Sequence, residues 1–134
     1  MKKALITLFF LLSSLITFSQ TDEEGYEYIS IDPQGQKWYI KIDKINDGKI
    51  DLWVKNTRLK KTLINKNSKK TKTVYVGYQL SFISLNCEQK TYNSTDYIIY
   101  DKNGNVLESG DQFIYGKRIF PNSFIDDVRN KICE

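Results

Sequence analysis

Trp38-Tyr39-Ile40-Lys41-Ile42-Asp43, then Asn46-Asp47-Gly48, then Ile50-Asp51-Leu52-Trp53-Val54-Lys55: this stretch decides the fold of the chain. Trp38, Ile40 and Ile42 alternate with Tyr39, Lys41 and Asp43, and Ile50, Leu52 and Val54 alternate with Asp51, Trp53 and Lys55. A period of two sends successive side chains to opposite faces of a strand. Asp-Gly tolerates the positive φ that a two-residue hairpin turn demands. The stretch is therefore a β-hairpin with one apolar face and one mixed face.

Working outward toward the C-terminus, Asn56 to Lys72 loses the alternation. Leu59, Leu63 and Ile64 extend the second strand part of the way, and a basic loop is expected across the rest of 55–72. Thr73 to Cys87 carries no charge and is rich in β-formers, as a long central strand would be. Val74, Val76, Tyr78, Leu80 and Phe82 share one parity, then Ile83, Leu85 and Cys87 take the other, which predicts a β-bulge near Phe82-Ile83. Lys90 to Tyr100 reads as a strand. Asp101-Lys102-Asn103-Gly104 turns it into Asn105 to Ser109, Gly110 ends that element, and Asp111 to Phe120 is a weaker final strand. Pro121-Asn122-Ser123 then supplies a breaker and N-cap candidates. Phe124, Ile125, Val128 and Ile132 recur at helical spacing, with Asp126 and Asp127 in the first turn and Arg129 and Lys131 near the last. The expected fold class is α+β: an antiparallel β-sheet of about five to six strands, covered by a short C-terminal helix.

Upstream, 20–37 reads as an acidic lead-in whose Tyr26, Tyr28, Ile29 and Ile31 dock or add a short strand, ahead of a single domain over 38–134. Residues 1–19 have the form of a secretory signal peptide: Met1-Lys2-Lys3, an uncharged run from Ala4 to Phe18, then Ser19 at the expected cut. That run of 15 residues, broken by Thr7, Ser13, Ser14 and Thr17, falls short of the roughly 20 a spanning helix needs. No stable membrane insertion is expected after cleavage. With no Cys after the cut a lipoprotein is not expected either, so the mature chain should be periplasmic or extracellular. In such a chain Cys87 and Cys133 most simply form one disulfide. It would close a loop of about 47 residues, worth about 4 kcal/mol. Two free thiols, or one catalytic thiolate, are the alternatives.

Composition bounds the function. The chain has 20 Lys and Arg against 16 Asp and Glu, a net of +4 that falls to +2 once Lys2 and Lys3 leave with the leader. That is too little for a protein drawn as a whole to polyanions. With no histidine in the chain, His-based triads, His-ligated metals and imidazole bases are excluded. Asp126 and Asp127 point to different sides of a helix and Ser123 has no base beside it. No catalytic residue, cofactor or metal is expected, and the chain reads as non-enzymatic. Asp101 to Asn105 faintly resembles a calcium loop, but its Gly stands fourth rather than sixth, and a hairpin turn accounts for it. The sequon Asn93-Ser94-Thr95 could accept a glycan only in an exporting eukaryotic cell.

Two surpluses remain. Lys55, Arg58, Lys60, Lys61, Lys66, Lys69, Lys70 and Lys72 form a candidate binding patch with no acidic residue between them. Such a patch can take a polyanion by counterion release, or it can be a solvated charged edge that blocks aggregation. No nucleic acid is expected, because no aromatic is interleaved for base stacking. The second surplus is aromatic: Trp53, Tyr39, Tyr97 and Tyr115 are expected on solvent-facing parity, either as protein-contact surface or packed against one another across strands.

The order of these pieces resembles the surface-adhesin protein E family of small exported bacterial proteins. The stretches concerned are Trp38 to Asp43, Lys49-Ile50-Asp51-Leu52-Trp53-Val54-Lys55, Leu85-Asn86-Cys87, Tyr100-Asp101-Lys102-Asn103-Gly104-Asn105-Val106, and Pro121-Asn122-Ser123 through Ile132-Cys133. Asn122 departs from the Gly of the family's Pro-Gly-Ser form. The resemblance implies an antiparallel sheet bearing a helix, and attachment to host matrix proteins such as vitronectin and laminin. The expected function is thus a non-enzymatic exported binding protein that contacts a protein partner through sheet surface or basic loop. The alternative is a periplasmic envelope or inhibitor protein whose partner comes from the same cell.

Overall fold

The computed structural model describes Asp22, residues 24–65, Asn67 and residues 69–133; the expected signal segment 1–19 and Lys66 lie outside the described residues. Strands β1 (Glu27–Ile31), β2 (Lys37–Asn46), β3 (Lys49–Asn65), β4 (Lys70–Asn86), β5 (Thr91–Asp101) and β6 (Val106–Arg118) lie in chain order across one antiparallel sheet, and α1 (Phe124–Ile132) follows. The expected fold class holds. The lead-in does contribute a strand, since β1 pairs along β2 from Glu27↔Ile40 to Ile31↔Lys37.

Local chemistry sets the turns. Asp47 and Gly48 take φ of 39° and 76° and close β2 on β3 at Asn46↔Lys49, the conformation expected of an Asp-Gly hairpin. Three other loops share one construction, Asp-x-x-Gly-x. The Oδ1 atoms of Asp22, Asp32 and Asp101 each accept the backbone N–H groups two and four residues on, at 2.8–3.0 Å. The fourth residue is Gly25, Gly35 or Gly104, with φ of 80–86°. An Asp side chain mimics a backbone turn, and glycine takes the positive φ without steric cost. In the last of these loops the bond from the Asn105 side-chain amide, followed by the backbone N–H bonds, holds Asp101 below the usual carboxylate range. Its carboxylate serves the turn.

The apolar parity of the hairpin becomes the core. Ile40, Ile50, Leu52, Val54, Ile83 and Leu85 are each at most 6% exposed and meet Val128 of α1, 1% exposed, on one face of the sheet. Burying such side chains is worth about 1.5–3 kcal/mol apiece. The register irregularity expected at Phe82/Ile83 is present, but the extra residue is Thr95 on β5, between Asp96↔Phe82 and Ser94↔Ile83. β4 keeps one parity there: Ser81, Ile83 and Leu85 lie opposite Val54, Leu52 and Ile50, while Leu80 and Phe82 point the other way. The bulge within β4 is at Val76, next to Gly77, where Leu59↔Tyr75 follows Arg58↔Gly77. A Cβ on Gly77 would stand 2.0 Å from the carbonyl oxygen of Tyr100, so the close strand approach there requires glycine.

Two expected boundaries change. Asn105 to Ser109 and Asp111 to Phe120 are not separate elements; β6 runs through Gly110, whose bare backbone sits under the Tyr97 ring. The expected basic loop is mostly strand, because β3 continues to Asn65 and β4 starts at Lys70. Thr57, Thr62, Thr71, Thr73 and Val74 supply β-branched residues that hold the ladder between the lysines.

At the C-terminus the expected helix forms. The Ser123 hydroxyl accepts the Asp126 N–H at 3.2 Å, and the Asp126 carboxylate accepts the Asn122 N–H at 3.1 Å, a reciprocal cap. Asn122 has a φ of 60°, the left-handed region that Asn enters more readily than other side chains. The departure from Gly is therefore compatible with the turn. Cys133 caps the helix and is disulfide-bonded to Cys87 with the Cα atoms 5.5 Å apart, tying the helix end to the end of β4.

Candidate functional site

The long β3–β4 hairpin outruns its neighbours. β2 pairs with β3 only as far as Trp38↔Asn56, extended by the Lys37 N–H donated to Thr57 Oγ1. β5 pairs with β4 only as far as Asp101↔Gly77. Beyond these points, among the described residues, Leu59 to Asn65 and Lys70 to Tyr75 pair with each other alone. The result is a two-stranded arm of about 25 Å, at roughly 3.3 Å per residue, with two open edges.

Of the candidate patch, the described residues map onto this arm and its root at Arg58, with one exception. Strand alternation places Arg58 and Lys60 on one face together with Lys72, which lies opposite Thr62, and Lys61 on the other face opposite Thr73. Lys69 and Lys70 stand at the tip, Lys69 with a φ of 49°. Lys60, Lys61, Lys69, Lys70 and Lys72 are exposed and Arg58 half-buried. Among the described residues none of the six takes part in an ion pair. Uncompensated like charges within one Debye length, about 8 Å at physiological salt, reinforce each other's potential. The arm therefore presents a cationic surface on both faces and at its end.

Lys55 is the exception. Its cross-strand neighbours are Tyr39 and Leu80, on the face opposite the helix. Its Nζ donates to Asp22 at 2.8 Å and to Glu24 at 2.9 Å, and lies over the rings of Tyr26 at 5.2 Å and Tyr78 at 4.8 Å. Burial disfavours its charge, but the bonds to the two carboxylates outweigh that and raise its pKa. Burial likewise works against the charge of Asp22, and the bonds from Lys55 and the Tyr26 N–H overcome it, so that carboxyl titrates below its ordinary value. Tyr26 is pushed up by burial and then by the negative charge of Glu24. The Asp22–Tyr26 loop thus straps this part of the open face with its own charges and ring, and removes Lys55 from the free patch.

The four singled-out aromatics divide. Tyr39 packs edge-on against Tyr28 at 5.6 Å and Trp53 against Phe82 at 5.1 Å, both on the open face. Tyr115 is 66% exposed and stacks on Phe113, itself 68% exposed. Tyr97 does not share their face: its partner Ser81 lies opposite Val54, on the helix side. Its hydroxyl donates to Glu108 at 2.6 Å, and that bond first, then burial, raises its pKa.

Sequence reasoning missed the Asp-x-x-Gly strap at Asp22, although the same pattern at Asp101 was legible as a turn. Compared with protein-family models, curated proteins and solved structures, the chain matches none.

Proposed function

We propose that this is an exported, non-enzymatic binding protein that contacts its partner through the cationic β3–β4 arm. One observation supports the reading: among the described residues, an arm without flanking strands and its root at Arg58 bear six basic residues that take part in no ion pair. Such an arm can reach into an acidic or sulfated surface, and neither of its faces is needed for the core. The resemblance to the surface-adhesin protein E family makes host matrix proteins the first partners to try. The test is binding of the chain to immobilised vitronectin and laminin across a salt series, with a Lys60→Ser/Lys61→Ser/Lys69→Ser/Lys70→Ser variant beside it. Removing four phosphate- or sulfate-directed cations should weaken binding and flatten the dependence of affinity on salt. Equal affinity of the wild-type chain and the variant would remove the arm from the account. If neither matrix protein binds, capture from the producer's envelope extract tests the same arm against a partner from the same cell.

A further inference from the structure

On the helix side the sheet is wider than the helix that covers it. The disulfide anchors the C-terminal end of α1 at the end of β4, while its first turn and the Arg118-to-Ser123 segment overhang the middle of the sheet. Between them lies a cleft of about 490 Å³, within the roughly 300–1,000 Å³ typical of small-molecule sites. Its floor is Val54 and Ile83, and one wall is Trp38 stacked on Phe124 with ring centroids 4.3 Å apart. Ile114 and Tyr92 form the side toward β6. The lining also includes Asn56, Gln79, Ser81, Ser94, Gln112 and Ser123, among which Gln79 donates to Ser81 at 3.2 Å. The cleft is also lined by Lys117 and Arg118, both exposed, and by no carboxylate among the described residues. Neither cation takes part in an ion pair among the described residues.

A cleft that joins apolar walls to neutral polar groups, with two cations and no anion in its lining, favours a ligand with an alkyl chain and an anionic head. We infer that the cleft binds a monomeric single-chain anionic amphiphile of the fatty-acid class. Its alkyl chain lies along the Trp38–Phe124 pair, Tyr92 and Ile114, above the buried Val54 and Ile83. Its carboxylate meets Lys117, which shares the helix-side face with Tyr92, with Arg118 beside it at the end of β6. The chain leaves water for an apolar surface. The head gains charge-assisted bonds that a neutral or cationic head cannot make. This site is separate from the arm, so its ligand and the arm's partner can be tested independently.

Calorimetric titration of the protein with dodecanoate, below its micelle concentration, decides the matter. The expected result is saturable one-to-one binding, about tenfold or more tighter than dodecyltrimethylammonium, and about tenfold weaker for decanoate as two methylenes are lost. In a Trp53→Phe background, dodecanoate should also shift the emission of Trp38. Lys117→Glu/Arg118→Glu should weaken dodecanoate about tenfold or more while the melting temperature holds. No saturable binding by the wild-type chain, or equal affinity for the two head groups, would overturn the assignment. The head-group comparison needs no variant, so it stands even if the charge reversal unfolds the protein.

Discussion

Lys55 Nζ lies 2.8 Å from the Asp22 carboxylate, joining the middle of β3 to a loop 33 residues earlier in the chain. The contact turns a residue from the most basic stretch into the anchor of an acidic one. Its side chain is 15% exposed and that of Asp22 23%, so solvent screens the pair only in part.

Asp22→Asn should therefore cost about 1 kcal/mol at neutral pH, since it removes a partly buried charged hydrogen bond. The folded pKa of Asp22 lies below its ordinary 3.8. Its stabilisation is complete above that value and is lost as pH falls through the lowered pKa. The gap in melting temperature between the wild-type chain and the variant should be present at pH 7 and close under acid below about pH 3.8. No gap at pH 7 would mean that the strap is held by packing of Tyr26 alone, and a gap that persisted at low pH would mean that the charge of Asp22 is not its source.

Cys87→Ser/Cys133→Ser should lower stability by about 4 kcal/mol, because the bridge spans 46 residues of sequence and constrains the unfolded chain. Urea midpoints with and without reductant give the measurement. A midpoint unmoved by reduction would show that α1 is held by Val128 and its neighbours without the covalent tie.

Gly77→Ala should destabilise by more than about 2 kcal/mol, beyond the loss expected from conformational entropy. The added methyl would need the space of the Tyr100 carbonyl, so β4 and β5 must separate at that point. Amide exchange should show lost protection at Tyr78 and Tyr100 in particular.

Neutralising Lys60, Lys61, Lys69 and Lys70 should leave the unfolding free energy within about 0.5 kcal/mol of wild type, as expected for exposed side chains without partners. Thermal melts check this, and the result also shows that any loss of binding reflects charge rather than unfolding.

Ser123→Ala should cost about 1 kcal/mol by stripping the N-cap. Asn122→Gly should be neutral or mildly stabilising, because the φ of 60° is one that glycine takes freely. Circular dichroism melts of the two variants should separate in that order.

Much of the fold was legible because its signals are local. Alternation at Trp38–Asp43 and Ile50–Lys55, the Asp47-Gly48 turn, and the Ser123 cap with helical spacing behind it each act over a few residues. The arm was obscured by its composition: lysines fall on both parities from Arg58 to Lys72, so no apolar face repeats. Its ladder rests on β-branched residues and on backbone pairing between Leu59 and Tyr75 that alternation cannot reveal. Parity also misled at Phe82-Ile83, where the extra residue belongs to the neighbouring strand.

By itself the amino-acid sequence determined the core parts of the strands, the turns, the helix and the chemistry of the cysteine pair, since these follow from side-chain period, φ preference and capping within short windows. It did not determine how far β3, β4 and β6 run. Only tertiary structure decided which charges stay free. Lys55 found Asp22 and Glu24 because β1, paired along β2, brings the Asp22–Tyr26 loop back over β3, whereas Lys60 and Lys61 extend past the last residues that β2 pairs. The cleft arose the same way, from a helix pinned at one end above a wider sheet. Period and propensity act between near neighbours, but pairing of charges and overhang of layers depend on where distant segments meet.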